Sequence, residues 1–127
     1  LDMVERDGYF MHEAGHWTGT WANDNSLSYF GLTREEAMTM PMFTAGCFGL
    51  NLKSEIGMKF LTQWLDAANA GAFKGSHADH RHDMACGSII ANRLGMKFKY
   101  GEHYLEYAAP ETPPKNETVI IKLQGLC

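Results

Sequence analysis

Hydrophobic and polar positions follow two different periods along this chain, and each period predicts a kind of element. The clearest helical pattern follows Ser54, where apolar residues recur every three or four positions as far as 69–71. A second pattern of this kind runs from 82 or 83 to Leu94, with Gly95 at the position of a C-terminal cap and Asp83 in the first turn. We therefore predict two long helices in the second half of the chain.

Shorter segments complete the prediction. Strands are predicted at 8–11, over the glycine-containing apolar run 42–52, and at 97–100, 103–107 and 118–123. In the second of these, Gly46 and Gly49 suggest that another group approaches the backbone closely. Residues 15–25 have loop composition, and the capping box at Thr33 to Glu36 predicts a short helix ending near Met40.

This mixture predicts an α/β fold in which helices pack on a mixed sheet. A length of 127 residues suits a single domain over 1–127, and 45% hydrophobic residues can form a core. The chain opens on Leu1 within sequence that already has structured composition. We therefore expect a fragment of a larger domain.

The composition of the chain indicates which partners and which cellular compartment to expect. Eleven basic against fifteen acidic residues give a net charge of −4, without a basic patch, which argues against nucleic acid. The three cysteines are widely spaced, as expected of reduced thiols in the cytoplasm. No apolar run reaches the roughly 18 residues of a membrane span, and we expect none.

Two histidine clusters are candidate sites. The segment "HEAGH" at His12 to His16 matches the zinc-peptidase motif, which requires both histidines on one face of a helix, with Glu35 or Glu36 as a distant third ligand. Gly15 and the flanking aromatic and β-branched residues disfavour a helix here. The other reading of this segment is a loop without a metal.

The second cluster immediately precedes the predicted helix of 82–94. His80, Arg81, His82 and Asp83 together offer groups that ligate a divalent cation, pair with a phosphate or cap a helix. This set suits a nucleotide diphosphate with its metal. A solvated polar loop in which Asp83 only flanks the helix is the alternative reading.

Three collinear segments of the chain carry a resemblance that favours the nucleotide reading. They are "ERDGYFMHEAGHWTGTWANDNSLSYFG", "TAGCFGLNLKSEIGMKFLTQWLDAANAGAFKGS" and "DHRHDMACGSIIANRLGM". Together they resemble the C-terminal half of bacterial and phage glycosyltransferase-like proteins with the nucleotide-diphospho-sugar transferase (GT-A) fold.

The resemblance implies transfer of a sugar from a nucleotide-diphosphate donor to an unknown acceptor, with Mn or Mg as cofactor. It implies that Asp83 faces the donor sugar, that His80 and His82 contact metal or diphosphate together with Arg81, and that Gly46 lies beside the donor. Met84 stands where that family commonly has Gln. The fragment alone is expected to bind weakly or to be inactive.

Two alternatives remain beside this reading. One is a zinc metallopeptidase that uses His12, His16 and Glu35. The other is a non-catalytic module in which an uncovered strand edge pairs with a second copy of the chain.

Overall fold

The chain folds into helices packed around a short antiparallel strand pair. The computed structural model describes residues 2–75 and 82–99, and the backbone of 105–107 and 121–123. In chain order the elements are α1 (Asp2–Asp7), β1 (Tyr9–Trp17), α2 (Thr18–Trp21), α3 (Asp24–Phe30), α4 (Arg34–Ala37), β2 (Pro41–Leu50), α5 (Glu55–Asn69), α6 (His82–Arg93), β3 (Leu105–Tyr107) and β4 (Ile121–Leu123). The described residues therefore confirm a mixed α/β fold, with six helices, β1 antiparallel to β2, and β3 parallel to β4.

The pairing of β1 with β2 contains a large bulge. Met11 lies opposite Phe48, and Glu13 lies opposite Phe43, so that one residue of β1 faces four residues of β2. On the other edge of β1, Lys99 forms a parallel bridge to His12. Its carbonyl accepts from the Glu13 amide at 2.8 Å, and its amide donates to the Met11 carbonyl at 2.7 Å.

Segment 15–25 differs from the predicted loop. The strand continues to Trp17, and α2 and the start of α3 occupy most of the remaining positions up to 25. Gly15 has a φ of +79°, a conformation that a glycine adopts without strain, so the strand can bend there rather than end. Asn23 caps α3 with a side-chain oxygen that accepts from the Ser26 amide at 2.8 Å.

The predicted helices are confirmed by their caps. The capping box of Thr33 and Glu36 is present, although α4 ends at Ala37, before the expected Met40. Ser54 caps α5, accepting from the Gly57 amide at 3.1 Å. Gly95, just beyond α6, has a φ of +73°.

The main core lies between the strand pair and α5 and α6. It is an aromatic cluster centred on Phe43, which is fully buried and makes edge-to-face contacts with Phe60 and Trp64. Gly87 lets α6 approach this cluster, because a Cβ atom there would lie 2.7 Å from the Phe43 ring. A second cluster on Met42 contains residues of α3, α4 and α6: Leu27, Ala37 and Ala85.

Side chains of α6 bind backbone groups of β2. The Phe43 amide donates to Ser88 Oγ at 3.1 Å, and Asn92 Nδ2 donates to the Pro41 carbonyl at 3.0 Å. Helix α6 thus supplies hydrogen-bond partners to two backbone groups of β2. The physical reason is that a helix carrying short polar residues can satisfy a strand's backbone groups as a neighbouring strand would.

The remaining predicted strands are partly confirmed. Lys99 contributes a bridge, and β3 and β4 lie within 103–107 and 118–123. Within the part of the chain that the structure describes, no helix has the length and apolar character required to cross a bilayer.

Candidate functional site

Two side chains of α6 fix the direction of the helix along β2. Asn92 contacts Pro41 and Ser88 contacts Phe43, so the helix runs antiparallel to the strand. Met84, in the first turn of α6, and Ala45, in the bulge of β2, both pack against the main core. Asp83 lies one residue before Met84 at the start of α6, and Gly46 lies one residue after Ala45 on β2.

Asp83 presents its carboxylate to solvent in the first turn of α6. Its Oδ1 accepts from the Met84 amide at 2.8 Å, and its backbone carbonyl accepts from Trp64 Nε1 at 2.9 Å. These bonds fix the backbone on the aromatic cluster and the carboxylate on the helix end. Among the described residues, no ion pair includes Asp83.

His82 lies one residue earlier and has a different environment. It is only 8% exposed. Gly75 lies against its ring, since a Cβ atom on Gly75 would overlap Nε2 and Cε1 of His82. The same Cβ position is 2.6 Å from Asn23 Nδ2. His82 is thus packed between the end of the preceding described segment and the cap of α3.

The other predicted site residues divide into two groups. His80 and Arg81 lie outside the described residues. Gly46 is exposed on β2, within the bulge. Of the predicted donor-site residues that the structure describes, His82 and Asp83 are neighbours at the start of α6, and Gly46 lies on β2.

The H-E-x-x-H segment does not have the geometry of a zinc peptidase. His12 and His16 lie on β1, whereas convergence on one metal requires consecutive turns of a helix. Four strand residues span roughly 13 Å, more than twice the rise of one helical turn. His12 is 5% exposed, whereas His16 is exposed at the end of the strand with its ring 5.6 Å from that of Trp21. Glu35 is exposed on α4.

Metal-ligating side chains lie apart from one another in the described residues. Across 2–75 and 82–99, no three His, Cys, Asp or Glu side chains converge as ligands for a metal ion. His80, which the sequence pairs with His82 as a metal ligand, lies outside these ranges. A cation site formed with His80 stays a prediction.

His12 has an unusual hydrogen-bonding state for a buried side chain. Its Nδ1 lies 2.9 Å from the Glu13 carbonyl, which can only accept, so Nδ1 carries the proton. Its Nε2 is buried without a hydrogen-bond partner among the described residues. The sequence-based interpretation of His12 as a loop residue did not predict this burial, because burial depends on residues that are distant in sequence.

The described thiols are buried to different degrees and are not activated. Burial raises the pKa of Cys47, which is half-buried on β2. Burial also raises the pKa of the fully buried Cys86, an effect that the hydrogen bond to Ser26 opposes and the charge of Asp83 reinforces. A raised pKa disfavours the thiolate, which agrees with the sequence-based interpretation of Cys86 as a small core residue and not a nucleophile.

Asn23 was not among the predicted site residues. Its side chain caps α3 and also donates from Nδ2 to the Lys74 carbonyl at 2.9 Å, 51 positions away. The cap was visible in principle, because Asn precedes an acidic residue and an apolar pattern. The contact with Lys74 was not, since one sequence contains no signal for such a pair.

Comparison with known proteins adds no relative. No family model, curated protein or solved structure matches the chain.

Proposed function

We propose that this chain forms the C-terminal part of a glycosyltransferase-like domain that transfers a sugar from a nucleotide-diphosphate donor. Two kinds of observation support the proposal. The three sequence segments resemble that family, and the order of elements, strand β2 followed by α5 and then α6, suits an α/β sugar-nucleotide fold. The observation that carries it is the exposed carboxylate of Asp83 at the start of α6, held by the Met84 amide and by the Trp64 bond to the Asp83 carbonyl.

Asp83 is the residue we assign to the donor sugar. A carboxylate can accept hydrogen bonds from two sugar hydroxyls, and charge strengthens such bonds. The Oδ1 bond from the Met84 amide and the Trp64 bond to the Asp83 carbonyl hold the group in a defined direction. A preoriented carboxylate loses little freedom when a ligand binds, so most of its interaction energy is available for recognition.

Gly46 and the residues preceding Asp83 complete the proposed site. Gly46 is exposed in the bulge of β2 and would lie beside the donor sugar. Arg81 would pair with the diphosphate, and His80 and His82 would contact the diphosphate or a divalent cation. Such a cation, Mn or Mg, would neutralise charge on the departing diphosphate. His82 is also packed against Gly75, so we assign it a structural part in holding the helix start.

The test is the substitution Asp83→Asn in the full-length protein. Asparagine keeps an oxygen that can accept from the Met84 amide, so folding should be unchanged while the charge is lost. We expect turnover with a panel of uridine and guanosine diphosphate sugars and Mn to fall about 100-fold or more, the scale seen when one preorganised polar group is removed from a reacting centre. Product formation by chromatography measures it.

Asp66→Asn is the matched control, because Asp66 is an exposed acid on α5. It should retain full activity. Wild-type turnover that survives Asp83→Asn would remove Asp83 from the site. Failure of the wild type to bind any sugar of the panel in calorimetry would reject the proposed function itself.

A zinc peptidase has no comparable support, because β1 holds His12 and His16 in different environments. Elemental analysis of protein purified without chelator checks this directly. About one zinc per chain, lost on His16→Ala, would restore the peptidase interpretation.

A further inference from the structure

The two ends of segment 75–82 meet in the structure. Gly75, at one end, lies against the ring of His82, at the other, so closely that any side chain at 75 would overlap the imidazole. His82 is nine-tenths buried and begins α6. A shift of Gly75 would therefore move His82, the first residue of α6, and with it Asp83, the next residue.

The turn that precedes Gly75 is held from α3. Asn23 Nδ2 donates to the Lys74 carbonyl at 2.9 Å, and Asn25 Nδ2 donates to the Gly71 carbonyl at 2.8 Å. Ser26 Oγ donates to the Ala72 carbonyl at 2.8 Å. Three polar side chains at the start of one short helix thus bind three carbonyls of the turn 71–74.

Asn23 differs from Asn25 and Ser26 because its side chain also lies close to Gly75, the residue that packs against the His82 ring. Its amide nitrogen is 2.6 Å from the position that a Cβ atom on Gly75 would occupy. Its oxygen accepts from the Ser26 amide, so the side chain cannot rotate without losing the cap of α3. The cap of α3 therefore holds the Asn23 side chain in place. The same side chain in turn holds Lys74, the residue before Gly75.

We propose that Asn23 is a positioning residue: by holding the Lys74 carbonyl, it keeps Gly75 against the His82 ring and so fixes the start of α6 and the direction of Asp83. Its consequence for a donor sugar rests on the function proposed above. The placement of His82 by Asn23 does not depend on that function and can be tested without it.

Two substitutions separate the two roles of Asn23. Asn23→Asp and Asn23→Ser both keep an oxygen that can cap α3, because Asp, Ser and Asn are about equally good N-caps. Both remove the amide nitrogen that donates to Lys74 and leave that carbonyl with the longer bond from Asn25 Nδ2 at 3.3 Å, and only the first adds a charge. An effect that is common to both variants therefore reports the lost hydrogen bond.

Nuclear magnetic resonance of the full-length protein provides the readout. We expect the ring signals of His82 to shift in both variants. We also expect the amides of Cys86 and Gly87, which close the first turns of α6, to exchange roughly fivefold to tenfold faster, the factor that corresponds to one lost hydrogen bond. Amides in the middle of α5 should keep their rates.

Asn51→Asp is the matched control. Among the described residues, the Asn51 side chain accepts from the nearby Lys53 amide at 3.0 Å and makes no other hydrogen bond, so the same chemical change should leave His82 and α6 unaffected. Unchanged His82 signals and unchanged exchange at Cys86 and Gly87 in both Asn23 variants would overturn the proposal.

Calorimetry with the panel of nucleotide sugars and Mn then separates this inference from the proposed function. If the wild type binds a donor, both Asn23 variants should bind it more weakly, and Asn51→Asp should bind it normally. Shifted His82 signals with undiminished donor affinity would confine Asn23 to a structural role and overturn its link to Asp83. If the wild type binds no donor, the proposed function fails, while the resonance experiment still decides whether Asn23 positions His82.

Discussion

At the scale of single residues, His12 combines deep burial with an incomplete set of hydrogen bonds. Its imidazole is buried at 5% exposure, one nitrogen satisfied by the adjacent Glu13 carbonyl and the other without a hydrogen-bond partner among the described residues. A buried acceptor without a partner carries an uncompensated desolvation cost of about 1–3 kcal/mol. His12 therefore contributes less to stability than an apolar side chain of its size would.

We predict that His12→Phe leaves the free energy of unfolding unchanged or raises it by up to about 1 kcal/mol. Phenylalanine has a ring of comparable shape and loses no satisfied long-range bond, because the Nδ1 contact is local. Chemical denaturation monitored by tryptophan fluorescence measures the change. A loss of more than about 2 kcal/mol would show that Nε2 has a stabilising partner.

At this scale the sequence predicted which chemical groups lie at the start of α6, but it did not predict whether each group is buried or exposed. Asp83 was correctly placed in the first turn of α6, because an acid before an apolar periodic segment is a local signal. The opposite environments of His82 and Asp83, one packed under Gly75 and one exposed, could not be predicted. Burial depends on what distant residues place beside a side chain, and no local pattern records it.

At the scale of elements, the most informative contact is the one between α6 and β2. Ser88 is fully buried and uses one hydroxyl to accept from the Phe43 amide at 3.1 Å and to donate to the Met84 carbonyl at 2.7 Å. The hydroxyl replaces the neighbouring strand that β2 lacks at this point. It also helps to set the register of α6 against the start of β2.

We predict that Ser88→Ala lowers the free energy of unfolding by about 1–3 kcal/mol, because it leaves the buried Phe43 amide without an acceptor. Chemical denaturation measures the loss. Ser28→Ala, at an exposed position in α3, is the control and should change stability by less than about 0.5 kcal/mol. Equal stability of the two variants would mean that water satisfies the Phe43 amide.

Element prediction succeeded where local signals are strong. The caps at Thr33 and Ser54 and the apolar periods of α5 and α6 identified the starts of α4, α5 and α6 and the ends of α5 and α6 to within a few residues. It was wrong for 15–25, where Gly and Asn were interpreted as a loop. There a glycine with positive φ bends a continuing strand and an asparagine caps a helix, and both residue types have the same composition signal as a loop.

At the scale of the whole molecule, the reactivity of a buried thiol reports how often the core opens. Cys86 is fully buried between α3 and the turn at Ala72, whereas Cys47 is only half-buried. Burial raises the pKa of both thiols, so both are mostly protonated at neutral pH. Only the thiolate reacts with alkylating reagents.

We predict that iodoacetamide modifies Cys47 well before Cys86. Below the raised pKa of Cys47, its rate should rise about tenfold per pH unit, because the thiolate fraction does so. Cys86 should react only at the rate at which the core opens, and denaturant should accelerate it strongly. Peptide mass mapping over time distinguishes the two. Equal rates in native buffer would mean that the α3–α6 contact opens readily.

The sequence by itself determined the helices α5 and α6, the strand β2 and the chemistry available at the start of α6. These depend on side-chain periods and capping residues, which act between near neighbours in the chain. Only the tertiary structure decided that α6 covers β2 through Ser88, that Gly75 meets His82, and that His12 is buried on a strand. These depend on contacts between residues far apart in sequence, whose partners are selected by packing and by the need to satisfy buried polar groups.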